Sequence, residues 1–297
     1  MIRPRHLLYY IVFSAVLWSC KQTEPDYENA NGMATCHITA GIQNEIQTYA
    51  SEQGGIINVD KDTYDQRYIL EVYDGDDCVY REVKITEIGD YTDFNVRLLA
   101  KKYTFAFWAD FTPNNSLEDN LYVTAAGLDN ITYNSGVDLN RLSDDCADAY
   151  CCIKEIDLTN SSQKISNALL KRSLGKIRFL ATDTPQESTP VMATIRLYGE
   201  TIPSSYNVLT ATAAGSLTVN DLHFSIIPEK TSINHIETVG YLLGSLYLFA
   251  DTQERTYTAT VTSFADEGMA TQIGERTLEL PVRTNKLTTV AGGFFDR

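Results

Sequence analysis

Apolar and polar residues alternate along most of this chain with a period of two, the pattern of strands with one buried face. Residues 67–73 (RYILEVY) and 78–85 (CVYREVKI) show it, and Asp74-Gly75-Asp76-Asp77 between them carries the Asp-Gly signal of a β-hairpin. Further strands are expected at residues 36–43, 55–59, 94–99, 102–109 and 121–125. In the second half they are expected at 175–182, 191–198, 206–210, 222–227, 241–250, 256–263, 277–282 and 286–295. Residues 127–149 read as an acidic loop, and 166–174 as a short polar stretch. Strands recurring every ten to fifteen residues or so, with few segments of helical period, predict an all-β chain. Two β-sandwiches in tandem are expected, over residues 32–165 and 166–297.

One segment departs from this pattern. Residues 7–18 are apolar except for Ser14, and Arg3, Arg5 and His6 precede them. A charged start followed by a short apolar run is a secretory signal, and twelve helical residues rise only about 18 Å, too little to span a bilayer. Leu17-Trp18-Ser19-Cys20 ends the run with a small residue directly before a cysteine, the arrangement of a bacterial lipoprotein cleavage site. The alternative is an ordinary signal with a coincidental cysteine. The expectation is a signal peptide at 1–19, lipidation at Cys20, and a polar tether over 20–31 linking the lipid to the fold.

The formal net charge is −15. Residues 166–297 hold 11 basic and 13 acidic side chains, so nearly all of the excess acid precedes them. Such a surface repels nucleic-acid phosphates and anionic lipid head groups, and no nucleic-acid partner is expected.

Candidate chemistry is sparse. With Cys20 set aside, Cys36, Cys78, Cys146, Cys151 and Cys152 remain, an odd number, so at least one thiol is expected free or paired outside the chain. Zinc at Cys146, Cys151 and Cys152 is disfavoured: adjacent cysteines on a strand point to opposite faces, and no C-x-x-C knuckle is present. Buried thiols, with one disulfide at most, are the plainer reading. Asp74 to Asp77 lacks the glutamate spacing of a calcium loop and reads as a turn. Tyr103, Phe105 and Phe107 share a strand face, as core anchors or, alternatively, a carbohydrate-stacking platform. His37, His223 and His235 accompany no nucleophile elbow, metalloprotease helix or phosphate loop, so neither an enzyme nor a cofactor is expected.

Three segments carry a family resemblance. Residues 172–179 (RSLGKIRF), 203–208 (PSSYNV) and 281–294 (PVRTNKLTTVAGGF) resemble recurring segments of fimbrillin-like lipoproteins of Bacteroidota. Trp108-Ala109-Asp110 and Asp148-Ala149-Tyr150 resemble marks of a related lipoprotein family of unknown function. The resemblance implies two transthyretin-like sandwiches in an outer-membrane, surface-exposed lipoprotein, with fimbrial subunits as partners through β-strand exchange. In polymerising relatives, cleavage after a basic residue removes an early strand. Here the first basic residues after the tether are Lys61 and Arg67, and the sequence stops at Arg297 directly after the closing strand. An anchor, cap or stand-alone role is therefore expected over a stalk subunit. The alternative is a surface lipoprotein that binds glycan or another extracellular ligand.

Overall fold

The computed structural model describes residues 32–43, 47–48, 59–159, 163–185, 189–197, 201–219, 221–233 and 236–295. The signal, Cys20, the tether, His235 and most of the strand expected at 55–59 lie outside them. The all-β expectation holds: strands and two short 3-10 turns supply the regular structure of the described residues.

The same strand path is traced twice. In the first sandwich, Met33–Ile42 pairs in parallel with Gln163–Arg172 and antiparallel with Thr92–Leu99. The facing sheet runs Asp77–Thr86, Tyr64–Asp74, Lys102–Pro113, Tyr150–Asp157, all antiparallel. In the second, Leu174–Ala181 pairs in parallel with Lys286–Gly292 and antiparallel with Ile236–Phe249. Its facing sheet runs Leu222–Ser225, Met192–Leu197, Arg255–Phe264, Gln272–Val282. Each sandwich thus joins its first strand to its last in parallel, and its four-strand sheets correspond position by position. The second adds Ile227–Ile233 as a hairpin partner of Ile236–Phe249.

Among the strands beyond the sequence reading, Tyr150–Asp157 lies in a stretch assigned no element, and Gln163–Arg172 replaces the polar stretch expected at 166–174. Tertiary pairing supplies what local pattern lacks. Ala168 and Leu170 point inward while Ile165, Asn167 and Leu169 face out, so the inner face looks weak in sequence. Residue 165 therefore lies inside strand Gln163–Arg172, and the next strand, Leu174–Ala181, follows after Ser173. The acidic loop at 127–149 also contains a short strand, Ile131–Tyr133, and the 3-10 turns Leu139–Ser143 and Asp145–Ala147.

Two apolar clusters hold the chain together. Ile38, Leu70, Phe94, Phe105 and Phe107 fill the space between the sheets of the first sandwich. Ile69, Ala106 and Trp108, on the outer face of its four-strand sheet, join Tyr122 and Ile131 of the following connection and Tyr206 and Phe249 of the second half. Strand Tyr64–Asp74 is consequently buried on both faces, which explains its dense apolar run. A small sheet bridges the halves, with Tyr206 opposite Ile131. Burying each large side chain at this junction is worth roughly 1.5–3 kcal/mol.

Candidate functional site

The residues that carry the family marks converge where the two sandwiches meet. Trp108 and Asp110 lie two apart on one strand, so they share a face, and the indole Nε1–H donates to Asp110 Oδ2 at 3.0 Å. Arg67, opposite Asp110 on the neighbouring strand, donates to both of its oxygens at 2.8 and 2.6 Å and reaches Asp119 at 2.9 Å. The second mark repeats this logic. Asp148 accepts from Arg172 Nε and Nη2, both at 2.6 Å, and from the Tyr150 hydroxyl at 2.8 Å. Immediately beyond, in the second sandwich, Lys176 and the Tyr247 hydroxyl both bond Asp145, at 3.3 and 2.5 Å.

The electrostatics are those of a satisfied structural core. Burial works against the charge on Arg172, but the adjoining Asp148 carboxylate and the Tyr150 and Tyr247 hydroxyls together outweigh it and hold the guanidinium above its ordinary range. Burial, then Asp148, pushes the Tyr150 and Tyr247 hydroxyls well up. Aromatic contacts complete the junction: Phe249 stacks on Tyr133 with centroids 4.4 Å apart and on Tyr206 at 5.8 Å, and Tyr206 lies 6.3 Å from Trp108. These groups hold one another in place.

The other candidates are dispersed. Tyr103, Phe105 and Phe107 are buried, at 6%, 0% and 0% exposure, so they form core and not a stacking platform. Asp74 and Asp77 close the expected hairpin turn, with Gly75 in the left-handed region. Cys146, Cys151 and Cys152 are free thiols, and Cys36 is buried. Cys151 packs on the junction cluster and Cys152 on the first-sandwich core, opposite faces as the alternation requires. Burial pushes the Cys151 thiol up to about 12. His37 is exposed beside Asn95, and His223 lies 3.1 Å from the Met269 sulfur. Among the described residues, no three histidine, cysteine or acidic side chains gather as a metal site.

Strand closure is the feature of greatest functional bearing. Both sandwiches hold their own first and last strands, and the closing strand of the second is pinned beyond its end. The Phe294 and Phe295 N–H groups donate to the Asp183 carboxylate at 2.9 and 2.7 Å, and both rings are buried. Arg67 is buried in its ion pairs, whereas Lys61 is exposed in the turn before strand Tyr64–Asp74. Outside the first sandwich, Ile165 (82% exposed), Leu169 and Tyr91 face solvent, and the Tyr91 ring lies over Gly41. Among the described residues, strand Gln163–Arg172 pairs on its second side only at Lys171 and Arg172. A concave, hydroxyl-lined face lies on the second sandwich, around Thr194, Thr260 and Thr262.

No curated protein matches this chain. Several solved structures are similar. A proposed adhesin from Bacteroides thetaiotaomicron aligns at 9% identity and a TM-score of 0.46, covering 88% of this chain and 92% of its own. A proposed cell adhesion protein from Bacteroides eggerthii aligns at 13% and 0.45, covering 89% and 90%. The fimbrial anchor protein Mfa2 from Porphyromonas gingivalis aligns at 9% and 0.38, covering 82% of each chain. The profile of one protein family matches residues 28–297, and the chain thus belongs to the family of unknown function DUF6562.

Proposed function

We propose that this protein is a lipid-anchored structural or adhesive component of the cell surface, tethered to the outer membrane through Cys20. Its role is that of an anchor, cap or stand-alone member and not of a polymerising stalk subunit. The observation that carries this reading is self-closure: Met33–Ile42 fills its place beside Gln163–Arg172, and Lys286–Gly292 fills its place beside Leu174–Ala181. A subunit that polymerises by strand exchange needs a vacated place in its sheet for a neighbour's strand. The burial of Arg67 supports the same reading, because a protease cannot reach it without unfolding the strand. Contact with fimbrial subunits would use the part of strand Gln163–Arg172 that, among the described residues, has no partner on its second side.

The test has two arms. Material from intact cells, run unheated on a denaturing gel, is expected to give a single monomer band; a ladder would overturn the anchor or cap role. Cys20→Ala is expected to release the protein from the membrane fraction or leave it unprocessed. A cleaved, membrane-retained product would refute the lipid anchor.

A further inference from the structure

The two sandwiches share a strand path but use one face differently. In the first, the outer face of the four-strand sheet carries Ile69, Ala106 and Trp108 and is covered by the junction. In the second, Ala193, Ile195, Tyr257, Val261 and Leu280 point inward and are buried. Alternation then sends Thr194, Arg196, Thr258, Thr260, Thr262 and Thr277 outward. Register arranges them in rows. His223 lies opposite Thr194, Thr194 opposite Thr262, and Thr262 opposite Glu275; in the next row Arg196 faces Thr260 and Thr260 faces Thr277.

This face is concave and borders a half-open space of about 690 Å³. Its walls are fixed. Met269, at φ 56°, rises from a turn in which the Asp266 carboxylate accepts the Ala270 and Thr271 N–H groups at 3.1 and 2.7 Å. Asn140 Oδ1 accepts the His223 N–H at 3.1 Å, and the His223 ring meets the Met269 sulfur at 3.1 Å, closing one end of the groove. Strand propensity accounts for threonine on a solvent face. On the floor of the groove Thr260, only 8% exposed, meets the cross-strand Thr277 hydroxyl to hydroxyl at 2.9 Å, which fixes both groups. Threonine is stiff at χ1, so hydroxyls on a sheet are already oriented and lose little entropy on binding.

Charge selects the ligand class. Arg196 is paired to both oxygens of Asp221 at 2.6 and 2.5 Å, so it offers planar donors with little net field, and Glu275 adds an acceptor. With its cation already paired, the groove is poorly suited to a phosphate, sulfate or sialic acid, while hydroxyl, amide-like and methyl surfaces suit a polyol. We propose that this groove binds a neutral oligosaccharide, whose hydroxyls exchange hydrogen bonds with the threonine rows and the Arg196–Asp221 pair. The site is independent of the lipid anchor and of strand closure, so either reading can fail without the other.

The mature protein, extracted in detergent, would be applied to an array of neutral, sialylated and sulfated glycans, followed by calorimetry with glucose, mannose and xylose hexasaccharides. Neutral glycans are expected to be retained. Thr194→Arg and Thr262→Arg, which fill the groove, are each expected to weaken binding by about tenfold or more. Thr39→Arg, on the first sandwich, should leave affinity unchanged. Thr277→Gln provides a milder groove variant should either arginine lower the melting temperature. Retention of no neutral glycan, preference for anionic ones, or unchanged affinity in folded groove variants would each overturn the proposal.

Discussion

Arg172 and Asp148 face each other through two hydrogen bonds of 2.6 Å, with both side chains 7% exposed. Arg172 ends strand Gln163–Arg172 and Asp148 is the first residue of a family mark, and strand Leu174–Ala181 begins two residues after Arg172. The pair therefore fixes the point at which one strand gives way to the next.

Breaking it from one side should be costly. Arg172→Met leaves the Asp148 carboxylate buried without its cation, and a loss of about 3–5 kcal/mol is expected in urea unfolding. Combining Arg172→Met with Asp148→Leu removes both charges and should recover much of that loss. A single substitution costing less than about 1 kcal/mol would show that the pair is no more than a surface-like contact.

Alkaline pH should unfold the protein cooperatively. Burial raises the hydroxyls of Tyr150, Tyr206 and Tyr247 above the ordinary value, helped by Asp148 at Tyr150 and Tyr247 and by the Cys151 thiol at Tyr206. In the unfolded chain these groups ionise near pH ~10, so the unfolded state loses protons first. Their stabilising effect is full below that pH and is lost as pH rises above it. The melting temperature should fall from about pH 10 upward, with tyrosinate absorbance from these rings appearing only together with loss of the β-sheet signal. Smooth ionisation of every tyrosine in folded protein would contradict this.

Trypsin discriminates the two basic residues that follow the tether. Lys61 is exposed, while Arg67 is buried between Asp110 and Asp119, so brief digestion should cut after Lys61 and spare Arg67. Mass analysis of the fragments checks it. Cleavage after Arg67 at a comparable rate would mean that strand Tyr64–Asp74 opens readily.

The hairpin of Tyr64–Asp74 and Asp77–Thr86 was legible because alternation and an Asp-Gly turn agree over adjacent residues. Strand Gln163–Arg172 was not, because Ala168 and Leu170 are its modest inner face and its pairing partner, Met33–Ile42, lies far away in sequence. The family marks were visible as letters without their roles. Asp110 finds Arg67 across 43 residues, and Asp148 finds Arg172 across 24, distances over which sequence spacing carries no geometry. The threonines of the groove read only as strand formers; register alone brings Thr194, Thr262 and Glu275 into one row.

The mass of the intact protein extracted from membranes tests the central claim most directly. A chain beginning at Cys20, heavier than its sequence by the acylated lipid and still carrying strand Met33–Ile42, is the expected result. A chain beginning after Lys61, or one beginning near Cys20 with no added lipid mass, would contradict it.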